Sequence, residues 1–483
     1  MSAPAPIGIK SALKEAVRMK SGLVGFGILA SLIIVAAIVP FYAPYDVVRN
    51  WSRLDPWQDN PRYAAPEWSE IFSGGHQPRT TIFEPDSFRK NIYFVTVPGS
   101  NETFKVVNLT KSFYWDYDNF PSELSIAVNG TFSGQSPLIE VGWLRESDGQ
   151  FVSLLVQSIP DSARNRSVVL TQTSSAITQI RDNIRTWVLN EGVIDQANVT
   201  TAVIMPEVAL FARNDTAQLS GHNAHLQKGF YELIVKYTSF NNTDDVNGRL
   251  ILYGTVYGIA GTDDKRRDLL TGLLWGAPIA LAFGVAAGGV VVLIQTLLGA
   301  LSGWYGGPID TFVQRFADFY LIIPTLPILI MISLFYRPGI VALLFYLVAF
   351  GIVGSTTKVV RSIVLQIKEE QFIEAAQSYG ASRGRILFKY IIPRIMPYTF
   401  ALVALSVPAF IFVEASLSFL GLGDPVLPTW GSIIGQAYDQ GALFYGWWWW
   451  ILFPAGGIIY TTIGFALLGY AFDKVLNPRL REE

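Results

Sequence analysis

Between Leu269 and Ile309 the chain carries no charged side chain. An uncharged apolar run longer than about 18 residues reads as a helix across a lipid bilayer, where hydrocarbon offers the backbone no outside hydrogen-bond partner. The rest of the chain suits that setting. Charged residues are 15% and apolar residues 51% of the 483. A soluble domain carries roughly 25% charge. There is no cysteine, which excludes disulfides and thiolate metal or redox sites. A net charge of −2 gives no basis for a nucleic-acid partner.

Three zones follow. Residues 1–45 begin with Lys10, Lys14, Arg18 and Lys20 and continue into the uncharged stretch Gly22–Ala43. The apolar core of a signal peptide is only about 7–15 residues long, so this longer one reads as a retained first membrane helix, its basic end cytoplasmic. Residues 46–264 are polar, and residues 265–483 return to apolar character. Five more spans are expected at about 274–302, 319–336, 339–357, 397–422 and 444–472. Six spans place both termini, the loop 303–317, the long loop 358–396 and the tail 473–483 in the cytoplasm of a multi-pass cell-membrane protein. Residues 46–264 then lie outside. The long loop holds Lys358, Arg361, Lys368, Arg383, Arg385, Lys389 and Arg394, whereas residues 423–443 hold no Lys or Arg, as the positive-inside rule asks. Lys265, Arg266 and Arg267 run against it. Trp447–Trp450 reads as an aromatic belt at the outer end of span six.

The middle zone reads mainly as strands at Asn91–Val97, Leu124–Val128, Phe151–Gln157, Ser167–Thr173, Tyr231–Thr238 and Arg249–Tyr257, with one helix at Ser175–Asn190. A β-sandwich-like inserted domain is expected. Its His76, His222 and His225 are the only histidines, and no acidic or Cys partner stands at metal-ligand spacing, so no metal site is expected. Sixteen of the 17 Asn residues fall between Asn50 and Asn247. Eight of them open an N-x-S/T sequon: Asn50, Asn101, Asn108, Asn129, Asn165, Asn198, Asn214 and Asn241. That clustering predicts an N-glycosylated outer surface, of archaeal or eukaryotic type.

The residues that carry mechanism lie in the long loop. Gln371–Tyr379 contains helix formers and is followed by Gly380, a residue suited to a left-handed helix end. Ser382 can cap a second helix running to Ile392, and Pro393 is expected to stop it before span five. The product is a short, rigid helix–bend–helix able to pass force to a soluble partner. This segment resembles the E-A-A-x3-G-x9-I-x-L-P loop of binding-protein-dependent ABC importers, with Glu374, Ala375, Ala376, Gly380 and Pro393 matching, Tyr390 in place of Ile and Ile392 in place of Leu. Gly261–Leu270 resembles the G-T-D-x-x-G-R-D-x-L segment of oligopeptide/dipeptide permeases, with Arg266 in place of Gly. Leu417–Gly423 with Pro428-Thr429-Trp430-Gly431, and the tail Leu476–Leu480, resemble the C-type permease of that family. The likeness covers about 1–45 and 258–480; residues 46–257 stand where the family has a much shorter loop.

The resemblance implies a polytopic α-helical membrane protein, six transmembrane helices in a type I ABC importer fold with an inserted, mainly β extracytoplasmic domain. It implies a heterodimer with a second homologous permease, two ATPase subunits binding ATP and Mg, and an extracytoplasmic binding protein. Glu374–Pro393 would form the coupling helix, and di- or oligopeptides would be the cargo, with oligosaccharides or nickel as alternatives. The chain lacks a G-x-x-x-x-G-K-[S/T] loop, so no cofactor and no ATP hydrolysis are expected in it. Glu414, with Ser418, is the candidate for pathway or gate, because ionisable groups inside a bilayer are costly. Pro324, Pro327 and Pro408 are expected to kink their helices. An ion-coupled secondary transporter is the reading from another class, but it calls for paired intramembrane charges, and Glu414 stands alone.

Overall fold

A computed structural model describes residues 9–96, 103–172, 174–190, 205–213, 224–336 and 338–476. The chain divides into two compact units, Met1–Arg53 with Leu269–Glu483, and Leu54–Asp268.

The first unit is helical. Besides helical segments at Ile9–Arg18, Tyr45–Arg49 and Ala442–Tyr445, its helices are α1 (Lys20–Tyr42), α2 (Leu269–Tyr305), α3 (Gly307–Ile322), α4 (Thr325–Tyr336), α5 (Ile340–Phe350), α6 (Ser355–Lys368), α7 (Gln371–Ser378), α8 (Arg383–Phe419), α9 (Trp430–Asp439) and α10 (Trp449–Leu476). Among the described residues α1, α2, α8 and α10 are long and apolar enough to cross a bilayer alone, and the bent pairs α3–α4 and α5–α6 bring the number to six if each is one span. The long α2 packs along both α6 and α8. Two glycines make the first contact close: a Cβ on Gly299 would lie 2.5 Å from Thr357 O, and one on Gly303 would lie 2.9 Å from Arg361 O. Small residues are how membrane helices bring their backbones together.

Several boundaries differ from expectation. The stretch 303–317 is not a loop, since α3 starts at Gly307 and bends 71° into α4. Pro324 lies in that break and cannot donate to the preceding turn. Span four extends beyond 357 through α6 to Lys368, bent 45° where Gly351 and Gly354 interrupt it. Pro393 does not end a helix. The chain runs unbroken from Arg383 to Phe419 because a π-helical turn at Leu387–Ile391 precedes the proline. Its wider ladder, with Ile392 N–H on Leu387 O, shifts the pairing pattern where the proline has no N–H to give. Span six starts at Trp449 rather than 444. Trp449 and Trp450 are buried and Trp448 is exposed, so the four tryptophans are not one surface belt; half of them pack inside.

The second unit is two antiparallel sheets. Its strands are β1 (Thr81–Phe83), β2 (Arg89–Thr96), β3 (Thr103–Trp115), β4 (Glu123–Thr131), β5 (Leu138–Arg145), β6 (Gln150–Ser158), β7 (Ser167–Val169), β8 (Gly229–Ser239) and β9 (Asp245–Tyr253). The orders are β1-β9-β4-β7 and β2-β3-β8-β5-β6. Both sheets feed one core: Leu109, Trp143 and Leu233 from one, Ile126, Leu250 and Leu252 from the other. A helix at Ser174–Asn190 guards the β6 edge, where Gln179 and Asn183 amides donate to Val156 O and Leu154 O at 3.2 and 3.1 Å. The sequence reading missed β1, β3 and β5. In β3 the inward row is interrupted by Lys105, which is nevertheless buried and donates its Nζ to Asn242 O at 3.0 Å and to Asp244 O. The strand expected at Ser167–Thr173 stops at Val169 and turns into a 3-10 helix, Leu170–Gln172.

Two of the basic triplet, Arg266 and Arg267, are absorbed by this unit, whereas Lys265 stays exposed. Arg267 and Asp263 are both about 1% exposed and paired through Nε and Oδ2. Burial pushes the Asp263 carboxyl up to about 6, against the pull of Arg267. Arg266 has φ +64°, the left-handed region that glycine occupies freely. Its cost is offset by Glu123, by Asn60 O at 2.8 Å and by the Tyr253 ring 4.0 Å away.

Two substitutions test these contacts. Arg267→Ala should cost about 3–5 kcal/mol, as for a buried charge left without its partner. The loss should be smaller at pH 5 than at pH 8. With the guanidinium gone the folded-state pKa of Asp263 rises further above the unfolded value, so the protonated fold is favoured at low pH and that favour vanishes as pH rises. Thermal melts of the purified chain at both pH values check this. Gly299→Val should lower the melting temperature more than Gly289→Val, since a Cβ on Gly289 meets nothing within 4 Å.

Candidate functional site

The matched residues fall at two ends of one long helix. At the first, Ile367, Ile373, Ile386, Leu387 and Ile391 form a core with Trp304 and Val360. The α7 helix rests on it through Ile373, which is fully buried, and shows Glu374 and Ala375 to solvent; Ala376 is half-buried. Its end is closed by Tyr379 N–H on Ala375 O at 3.0 Å and Ala381 N–H on Ala376 O at 3.0 Å. Gly380 between them has φ +76° and open space around it. Tyr379 is 92% exposed. Ser382 Oγ accepts from Arg385 N–H at 3.4 Å, the expected cap, and Trp304 Nε1 donates to Arg383 O at 3.0 Å. Arg394 of α8 reaches back to Glu370, at 2.8 Å, just before α7. A rigid, solvent-facing helix is thereby fixed to the base of α6 and α8.

Pro393 is exposed on α8 and is not part of the α7 surface. Glu414 and Ser418 lie near the other end of the helix, roughly 30 Å from Pro393 at 1.5 Å per residue. Ser418 Oγ donates to Glu414 Oε1 at 2.6 Å, and the carboxylate is almost wholly buried. Thr429 also faces it. Beside this pair a cavity of about 190 Å³ is lined by Trp51, Ser418, Asp424, Gln436 and Asp439 among others. Asp424 is held in place by Val426 N–H at 2.8 Å, Leu427 N–H at 3.0 Å and Ile340 N–H at 2.9 Å, tying this loop to the start of α5. Pro408 is buried within α8.

Sequence reasoning passed over three polar contacts that hold the frame. Asp310 of α3 pairs with Arg361 of α6 and accepts from Ser302 of α2, and Lys358 pairs with Asp318. Gln295, deep in α2, donates to Gly351 O at 2.8 Å, at the break between α5 and α6. Their signals were present: Asp310 is the first charge after the uncharged run, and Gln295 is the one amide within it.

Among the sequons, Asn129, Asn165 and Asn241 are exposed. Asn165 has φ +58° and Asn241 Nδ2 donates to Ser133 Oγ at 2.7 Å. Asn108 sits within β3 between β2 and β8, half-buried with its Oδ1 enclosed. Asn50 is half-buried in the membrane unit, its amide on Asp46 O at 2.9 Å. Asn101, Asn198, Asn214 and His222, and the tail from Asn477, lie outside the described residues. His76 pairs with Glu70 at 2.8 Å.

Residues 295–482 match the family described as binding-protein-dependent transport system inner membrane component. The oligopeptide transport system permease protein OppC of Bacillus subtilis (strain 168) is 36% identical over 223 residues, 46% of this chain and 72% of the relative. The dipeptide transport system permease protein DppC of the same organism is 35% identical over 222 residues, 46% and 68% of the two chains. The glutathione transport system permease protein GsiD of Pectobacterium atrosepticum is 31% identical over 222 residues, 46% and 72%. With several helices long and apolar enough to cross a bilayer and a mainly β insertion, the chain belongs to the binding-protein-dependent inner membrane permeases, in the C-type branch of the oligopeptide/dipeptide importer family.

Proposed function

We propose that this chain is one half of the translocation path of an ATP-driven peptide importer and that α7 is where ATPase movement enters it. The observation that carries this is the exposed face Glu374-Ala375 on a helix whose opposite face, through Ile373, is locked into the core joining α6 and α8. A push on a rigid helix so anchored moves both neighbours together. The relatives are named for oligopeptides, dipeptides and glutathione, which supports a peptide cargo. The working assembly would add a second permease, two ATPases that bind ATP and Mg, and an external binding protein. Closure of the ATPases would shift the permease between two states, exposing the path to either side in turn. Glu414 and Ser418 at the far end of α8 are the proposed pathway or gate residues.

In this reading both termini and α7 are cytoplasmic, and residues 54–268 are outside. The charge bias supports it. Arg266 and Arg267, which run against the bias, are drawn into ion pairs with Glu123 and Asp263 and so count for less as free positive charge. Glycans on the outer surface belong to the same proposal.

Two experiments bear on it. In the reconstituted complex, Glu374→Ala with Gly380→Val should lower substrate-stimulated ATP hydrolysis and uptake by about tenfold, or about 1.4 kcal/mol, with normal membrane insertion. Di- and oligopeptides should stimulate hydrolysis where oligosaccharides of equal length do not; unimpaired uptake by the double variant would refute the coupling role. Separately, glycopeptide mass spectrometry should find sugar at Asn129, Asn165 and Asn241 and none at Asn108. If residues 54–268 prove protease-shielded in intact cells and carry no sugar, the assigned orientation is wrong.

A further inference from the structure

A sheet edge is a row of unpaired N–H and C=O groups, and native folds guard such rows. Three of the four edges among the described strands of the Leu54–Asp268 unit are guarded. β1 and β7 are only three residues each, and the helix Ser174–Asn190 closes the β6 edge with the amides of Gln179 and Asn183. β2 is different. It is the outermost strand of its sheet, eight residues long and in unbroken register with β3, from Arg89 opposite Thr110 to Thr96 opposite Thr103. It holds no proline, and its two charges, Arg89 and Lys90, stand together at its start. Among the described residues only β3 hydrogen-bonds to its backbone. Both faces of its far half are open. Ile92 and Phe94 on one side are 51% and 56% exposed, and Tyr93 and Val95 on the other are each 44% exposed.

We propose that the outer edge of β2 binds an extended peptide as one more antiparallel strand, with the peptide's terminal carboxylate beside Arg89. This rests on the reading that the cargo is peptide, and it gives that cargo a site on the inserted unit. An added strand is held through its main chain, so the pairing is nearly indifferent to side-chain identity. That suits a cargo defined as peptide rather than as one sequence. The open apolar side chains on both faces of β2 would meet the peptide's side chains as cross-strand pairs. Charge sets the direction. Lys90 is already bound to Asp245 at 2.5 Å, whereas Arg89 is exposed and has no ion-pair partner among the described residues. A strand antiparallel to β2 ends where β2 begins, so a peptide of about eight residues brings its carboxylate to that cation. The same reasoning disfavours a second copy of this chain as the occupant. Its β2, laid antiparallel in full register, would bring Val95 and Thr96 to Arg89, and neither carries a carboxylate.

The test uses the full chain in nanodiscs, without ATPases, and an octapeptide of alternating threonine and valine with fluorescein at its N-terminus. Fluorescence anisotropy should show saturable binding. Methylating every peptide nitrogen removes the donors and keeps the side chains, and should weaken binding at least about tenfold. Amidating the terminal carboxyl should cost about threefold in the natural chain and nothing in Arg89→Gln. Ile92→Lys with Phe94→Lys should weaken binding about tenfold without moving the melting temperature of the purified chain. Equal binding of the N-methylated peptide overturns the proposal, whether or not the variants fold. So does a doubling of mass in detergent that the double variant abolishes and the peptide does not reverse, which would make β2 a seam between copies. Absence of binding also overturns it, but leaves the transport reading standing, because ATP-driven uptake by the whole complex is a separate measurement. Binding here without peptide uptake there would refute the transport reading alone.

Discussion

In hydrocarbon a backbone N–H or C=O that finds no partner has no water to turn to, and the membrane unit is organised around that fact. It explains why the apolar runs are helices, and it sharpens interest in the places where they break. At Gly351–Gly354 the ladder is interrupted, and a buried amide from the neighbouring helix, Gln295, takes up the Gly351 carbonyl. At Leu387–Ile391 the ladder widens by one residue to accommodate Pro393. Neither break is loose. Each is a local change of pairing in which the Gly351 carbonyl or the Ile392 N–H keeps a partner while the helix bends or continues.

The consequence is mechanical. Because α8 continues through Pro393, the segment next to α7 and the Glu414–Ser418 pair belong to one uninterrupted helix. Close packing of Gly299 and Gly303 against α6 and the Asp310–Arg361 pair join α2, α3 and α6 at the same end. The proposed coupling surface therefore bears on a block of helices. The two breaks at Pro324 and at Gly351–Gly354 join helices of only 16, 12, 11 and 14 residues.

The inserted unit solves a different problem, because its backbone can use water at the surface. Its stability comes from two sheets sharing one core rich in aromatic rings, with Phe211 and Tyr231 4.7 Å apart and Phe113 and Trp143 5.7 Å apart. Arg249 binds both Asp59 and Glu84, and its guanidinium holds the Asp59 carboxyl below the usual carboxylate range. Charge that looked contrary to membrane topology, at Arg266 and Arg267, is used inside this fold.

Much was legible in the sequence because it depends on local composition. An uncharged run from Leu269, the helix formers before Gly380, the cap at Ser382 and the β-rich middle zone each act within a few residues of themselves, and each stands where it was expected. The motif residues Glu374, Ala375, Ala376 and Gly380 are brought onto one short helix and its end for the same reason. What the sequence could not decide depended on partners far along the chain. Lys105 hid β3 because its charge is answered by carbonyls of residues 242 and 244. Pro393 read as a stop because the π turn that absorbs it is held by burial of Leu387 and Ile391 against Trp304 and Val360. Two of the four tryptophans turned inward because packing, not hydropathy, sets which face of α10 is covered. The sequence by itself determined which segments leave water and which are helical or extended. Only the tertiary structure decided where those segments bend and which polar groups answer one another, since both are set by contacts between residues that composition cannot pair.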